Sequence, residues 1–461
     1  MTAPRSLRWL LVALVAVALV RLIGFAVAFG QESLQMDFAA FYTAGEALNA
    51  GLDPYRSHIF RSPPIWDGVD LFQHSRFLYP PLVATLFQPV AWLPYSVAKA
   101  AWMVVSLLTL AIALILAMRV AGVRLSDNAA WATWLVALVF HPLLTFLERG
   151  QIDSITLLLV TAGIVLLGRR RREGIAGLLF ALATLLKLHA VLLVPFLVVQ
   201  KRWRALASYA AGGVLLLLLS LLLNGPTLLV QYATVEFPRI SEFGEWGTDE
   251  MRVDPARVAA LQPAEGLTTK DGRVYSREYF SFVSNASLGR TQAGYKLQGL
   301  LGAMGFGSAQ SVAALVTFGV CFGVVVALQW GRCFVDLSQP TAAFLYWQLA
   351  LVIVLLSAPL TWVMNTIWLL ALVPLAIRWG IARRAGAPEP WPRRLGWVLV
   401  AFGLVIAMVP DHLAFSLLIP AGAAGEAAQQ KYVIAELAVA LGLVLCLLRH
   451  RPHRAPRRRR L

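Results

Sequence analysis

Long apolar runs, separated by short basic or polar connectors, recur along almost the whole chain. The first, Leu7 to Phe29, and later ones near 96–118, 128–147, 153–168, 205–223, 309–331, 341–356, 360–379, 395–410 and 431–448 are long enough, or nearly so, to cross a hydrocarbon core of about 30 Å as helices. The first run is too long for a secretory signal and lacks a small-residue cleavage site, so it predicts a retained span. The apolar segment Tyr79 to Pro94 carries four prolines, each of which removes a backbone donor, and is expected to lie at or dip into the interface rather than cross. Residues 174–200 lie between two basic clusters, 169–173 and 201–204, which a single crossing would put on opposite sides. Two short helices, about 174–187 and 190–200, meeting at Lys187-Leu188-His189, return both clusters to one side.

The expected fold class is therefore all-α: a polytopic integral membrane protein with about 12 transmembrane helices and both termini in the cytoplasm. Residues 1–461 form one membrane domain, with extracytoplasmic segments at about 30–95 and 224–308 and a basic cytoplasmic tail at 449–461. Composition agrees: 59% of residues are hydrophobic and only 14% charged, well below the roughly one quarter usual in soluble domains. The net charge of +16 would suit nucleic acid, but the basic residues sit in short clusters between apolar runs, as cytoplasmic topology signals do. No nucleic-acid partner is expected. Cys321, Cys333 and Cys446 lie in or beside apolar segments and suggest neither a disulfide framework nor a metal site.

Several chemistries are disfavoured by missing motifs. The sequence contains no D-x-D, no H-E-x-x-H, no phosphate-cradling glycine loop and no G-x-S-x-G. Neither a tandem repeat nor a matched pair of broken helices points to a transporter built from inverted halves. Parity instead gathers the polar features on the outer face: Asp37 with Phe38, Phe41 and Tyr42, then G-L-D-P-Y (51–55), E-R-G-Q-I-D (148–153), K-L-H and the region 356–365. Asp37 could cap the short helix Phe38 to Asn49 or do chemistry, and its position leaves both open. Lys187 lies within an apolar stretch, where a lysine at a hairpin apex can snorkel and also bind an anion.

In order along the chain come D-F-x-x-F-Y-x-A-G (37–45), G-x-D-P-Y (51–55), Y-P-P-L (79–82), G-Q (150–151), the lysine at 187, N-x-S-L (285–288) and S-x-P-x-T-W (357–362). This succession resembles glycosyltransferase family 87, polytopic membrane enzymes of the C-type glycosyltransferase fold. The resemblance implies a polyprenyl-phosphate-sugar donor and an extracytoplasmic glycan or glycolipid acceptor, with the lipid bilayer as the third partner. The transferred sugar would be a hexose, mannose, passed with inversion and without a cofactor or metal. It implies Asp37 as general base, which suits chemistry in which one carboxylate takes the acceptor proton while a phosphate leaves without protonation. Cations are then needed at the phosphate, and Lys187, His189, Arg149 and Arg290 are the candidates. Phe41, Tyr42, Tyr55, Tyr79, Gln151, Asn285 and Trp362 are the expected substrate contacts, although aromatic residues also gather at membrane interfaces without any ligand. One departure stands out: many relatives follow the last motif with a histidine pair, where this chain has Met364 and Asn365. His189 or His141 would have to compensate, or the acceptor differs. A lipid-linked pentosyl (arabinofuranosyl) transferase and a transporter or flippase of lipid-linked saccharides remain the alternatives.

Overall fold

The computed structural model of the protein describes residues 5–31, 36–55, 77–237, 267–270, 273–276, 310–358, 363–384, 386, 389–410 and 431–449. These are helical apart from turns, connectors and one short antiparallel hairpin, β1 (Leu267–Lys270) with β2 (Arg273–Ser276), in which Leu267 faces Ser276. The tail beyond 449 lies outside the described residues.

The first span is α1 (Arg5–Gln31). It buries Ala18 and Leu22 but exposes Trp9, Leu10, Val17, Val20 and Ile23, as expected where lipid rather than water is the solvent. The chain then turns into α2 (Met36–Asn49), followed later by α3 (Pro81–Phe87) and a 3-10 turn, Val90–Trp92. At 1.5 Å per residue the seven residues of α3 span only about 10 Å, so the proline-rich segment is far too short to cross. A Cβ on Gly45 would lie 2.6 Å from the carbonyl carbon of Phe87, so glycine lets α2 lie flush against the end of α3.

Next come α4 (Tyr95–Val120), α5 (Asn128–Val139) and α6 (His141–Arg149). Between α5 and α6 the axis bends by 55° at Phe140, where ψ reaches 116° and Pro142 follows in the first turn. After α6 the chain continues into α7 (Asp153–Leu167), α8 (Glu173–Leu186), a 3-10 turn (Leu188–Leu193), α9 (Val194–Val199) and α10 (Trp203–Gln231). The expected break between two short helices falls at Lys187, whose φ of −140° and ψ of 100° are extended. Further on lie α11 (Gln310–Trp330), α12 (Pro340–Ser357), a 3-10 segment (Val363–Leu372), α13 (Val373–Arg384), α14 (Trp391–Met408) and α15 (Lys431–Leu447).

The core centres on α12 and the 3-10 segment after it, where nearly every side chain is buried; apolarity on all sides suits an interior helix. Lipid supplies no hydrophobic drive for helices to associate, so close approach through small residues takes its place. Thus Gly396 of α14 and Gly442 of α15 face each other, and a Cβ on either would come within 2.6 Å of the other's carbonyl oxygen.

Six helices among the described residues are long and apolar enough to cross a membrane, and the bent α5–α6 pair would make seven. The expectation of about 12 crossings also counted shorter elements. Helices α7 and α8, at 15 and 14 residues, rise only about 21–23 Å against a core of about 30 Å.

The direction of the helices is informative. Helices α4 and α7 begin beside one polar cluster and run to arginine-bearing connectors, Arg119 and Arg124 after α4 and Arg169 to Arg172 after α7. From those basic ends, α8 and α10 return toward the cluster.

Candidate active site

The cluster is organised by five consecutive residues, Arg149 to Asp153. Helix α6 ends at Arg149, and Gly150 adopts the left-handed conformation (φ 67°, ψ 39°) that a side chain would disfavour. This lets the chain reverse and start α7 four residues later. Trp102 of α4 pins the turn by donating its indole N–H to the Gly150 carbonyl at 2.7 Å, while its ring stacks on Phe38 with centroids 5.9 Å apart.

From this turn three side chains reach partners on other segments. Arg149 meets Asp37 side-on, with Nε 2.6 Å from Oδ2 and Nη2 3.4 Å from Oδ1. Both side chains are nearly buried, at 10% and 11% exposure. Gln151 accepts at Oε1 from Lys187 Nζ at 3.2 Å and from the Tyr79 hydroxyl at 3.3 Å. Asp153, fully buried, lies 3.2 Å from Lys187 Nζ through Oδ2 and accepts the Asn365 amide at 2.6 Å through Oδ1. The ammonium of Lys187 also sits 5.9 Å from the centre of the Tyr79 ring, within cation–π range. Burial pushes the Tyr79 phenol up to about 12, so it acts as a neutral donor.

Of the expected site residues, the structure brings Asp37, Arg149, Gln151, Lys187 and Tyr79 into this network of contacts. His189 lies two residues past Lys187, half-buried, with its ring 5.3 Å from that of Trp368. Phe41, Tyr42 and Tyr55, expected against a sugar, are at most 4% exposed. Their contacts are internal: Phe41 stacks on Phe87 at 4.8 Å, the Tyr42 hydroxyl donates to the Leu93 carbonyl, and the Tyr55 hydroxyl to the Tyr79 carbonyl. They pack behind the cluster, and the Tyr79 hydroxyl hydrogen-bonds into it at Gln151. Arg290, Asn285 and Trp362 lie outside the described residues.

Two members of the cluster were not singled out from the sequence. Asp153 was read only as part of an outer loop, and the available signal was an acid opening an apolar helix four residues after an arginine. Asn365 was noted only as a replacement for histidine, yet its amide holds the buried Asp153.

Residues 77–335, more than half of the chain, match the model of glycosyltransferase family 87. That stretch holds Tyr79, Arg149, Gln151, Asp153 and Lys187, while Asp37 and Asn365 flank it. The chain is also similar to a polyprenol-phosphate-mannose-dependent alpha-(1-2)-phosphatidylinositol mannoside mannosyltransferase of Mycobacterium tuberculosis, 29% identical over 208 residues, or 41% of this chain and 46% of the relative. The protein of the same description from Mycolicibacterium smegmatis is 29% identical over 199 residues, covering 40% and 43%. The chain thus spans less than half the length of the curated relatives it matches.

Proposed function

The chain belongs to glycosyltransferase family 87, and on that premise we propose that it is a membrane enzyme moving mannose from a polyprenyl phosphate carrier to a glycolipid or glycan acceptor outside the cytoplasm. The observation that carries this reading is a carboxylate just past the end of the first span, set in one buried cluster with two cations, Arg149 and Lys187. In the proposed step Asp37 takes the proton of an acceptor hydroxyl as that oxygen attacks the anomeric carbon. The bond from that carbon to the phosphate oxygen breaks with its electron pair, and polyprenyl phosphate leaves with inversion. The leaving group needs positive charge rather than an acid, and Lys187 with Arg149 would supply it from a site largely closed to water. His189, two residues past Lys187, would bind the same anion, and the Tyr79 hydroxyl and Gln151 would orient sugar hydroxyls.

The face is proposed from charge. The cluster lies at the end of α4 and α7 opposite their arginine connectors, and basic connectors mark the cytoplasmic side. The names of the relatives, which specify polyprenol-phosphate-mannose, support the donor class and the sugar. The shorter apolar helices would complete a many-span C-type glycosyltransferase fold by packing at a tilt or within a thinned bilayer.

The test is transfer of radiolabelled mannose from polyprenyl-phosphate-mannose to phosphatidylinositol mannosides by purified protein in nanodiscs, wild type beside Asp37→Asn. Loss of a general base should cost about 10²–10⁴-fold in rate in a variant that stays folded. Equal transfer by the two would remove Asp37 as the base. No transfer by wild type to these or to glycolipid-extract acceptors would refute the mannosyl donor.

A further inference from the structure

We propose that the end of α4 away from the cluster holds an anionic phospholipid, with its phosphodiester at Arg119 and Arg124 and its acyl chains along the helix. This lipid site is separate from the transfer chemistry and does not depend on it.

Helix α4 closes at Gly122, which is left-handed (φ 65°). Its last carbonyls are already taken. The N–H groups of Ala121, Gly122 and Val123 donate to the carbonyls of Ala117, Arg119 and Met118, and Arg378 of α13 donates to that of Ala121. The partial negative charge of a helix C-terminus is thereby answered within the protein. At this turn lies a cavity of about 470 Å³, lined by Ile115, Met118 and Leu125 together with Arg119 and Arg124. Both arginines are exposed, and among the described residues neither guanidinium has an ion pair or a hydrogen bond. Asp127, three residues after Arg124, accepts that residue's backbone N–H at 2.9 Å and not its guanidinium. Two unpaired guanidiniums on one cavity concentrate positive potential there, and their forked donors match a phosphodiester.

The surface leading to this cavity makes the anion a lipid. Val104, Leu108 and Ile112 are exposed, and with Ile115 and Arg119 they recur every three or four residues, on one face of α4. Helix α4 is long and apolar enough to cross a membrane, so this face meets acyl chains. From Val104 to Arg119 the helix rises about 22 Å, more than the roughly 15 Å of one leaflet. A phospholipid can therefore lay its chains on the apolar strip and bring its phosphate to the arginines at the strip's end. Leu125, exposed beyond the helix, continues the apolar lining on the far side of Arg124. A soluble anion would use the arginines alone and leave the apolar lining without a part.

Native mass spectrometry of the full chain, purified and delipidated in detergent, tests this with two probes of identical acyl chains, phosphatidylglycerol and phosphatidylcholine. The wild type should bind phosphatidylglycerol the more tightly, and each of Arg119→Gln and Arg124→Gln should weaken that binding by about fivefold while leaving phosphatidylcholine nearly unchanged. The control is Arg171→Gln, which removes an exposed arginine from the connector after α7, outside the cavity, and should change binding by less than about twofold. Neither cavity arginine bonds to the rest of the protein through its guanidinium, so the variants keep the fold. Equal affinity of the wild type for the two lipids would overturn the site. So would a loss in Arg171→Gln as large as in the cavity variants, which would mean attraction to the basic face at large. Displacement of phosphatidylglycerol by millimolar inorganic phosphate would make the ligand a soluble anion and refute the lipid.

Discussion

The pair formed by Lys187 and Asp153 allows a stability prediction that does not depend on any assignment of function. The two groups are 3.2 Å apart, with side-chain exposures of 11% and 0%. Removing one partner of a buried pair typically costs about 3–5 kcal/mol, because the other charge is stranded. In Asp153→Asn the stranded ammonium keeps Gln151 Oε1 and the Tyr79 ring, and a cation–π contact at this separation offsets about 1 kcal/mol, leaving a net loss of about 2–4 kcal/mol. Lys187→Met strands a fully buried carboxylate that still has the Asn365 amide, and should cost a similar amount. The double variant strands neither charge, since an amide at 153 can still accept from Asn365 and methionine fills the lysine's volume. Its loss should therefore be smaller than either single loss, a coupling of at least about 2 kcal/mol. The assay is thermal unfolding in detergent, followed by tryptophan fluorescence, for the four proteins of the cycle. Losses that simply add in the double variant would refute the reasoning, because groups that do not share a buried charge interaction behave independently.

Three further outcomes follow from other parts of the chain. Glu46 of α2 is partly buried, and burial raises its carboxyl from 4.5 to about 7; folding then favours the protonated acid, so its stabilising contribution is full below pH 4.5 and is lost as pH rises to about 7. The midpoint of thermal unfolding should carry this decline in wild type and lack it in Glu46→Gln. At the contact of α14 with α15, Gly396→Ala forces a methyl to 2.6 Å from the Gly442 carbonyl oxygen and should cost about 1–3 kcal/mol, read as a lowered unfolding midpoint. In α10, Gly213→Ala meets nothing within 4 Å and should be neutral or stabilise by up to about 1 kcal/mol; equal losses in the two alanine variants would discount the close helix contact.

Much of this architecture was legible because lipid simplifies the code. Apolar runs must become helices where no water can satisfy the backbone, so elements could be placed from hydropathy alone, and the prolines of 79–94 go with a segment broken into the seven-residue α3 and a 3-10 turn. Even the break at Lys187 was readable, because two basic clusters had to end on one side. The number of crossings was less accessible, since α7 and α8 are apolar beyond their opening acids yet short, and hydropathy does not distinguish a tilted span from a helix packed inside the protein. The aromatic residues are ambiguous for a related reason. Phe41 and Tyr42 have the composition of a ligand wall and of an interfacial core alike, and the sequence does not show that they pack against Phe87 and Leu93.

The site was only half legible, and the missing half has a physical explanation. Sequence reading favours residues whose charge is conspicuous against an apolar background, which singled out Asp37 and Lys187. It singled out Arg149 as well, but for a phosphate; that Arg149 pairs with Asp37, 112 residues away, and that Asn365 holds Asp153, 212 residues away, is hidden because each partner comes from a distant segment. In a medium where an uncompensated charge is so costly, each visible ion implies an unseen counter-ion.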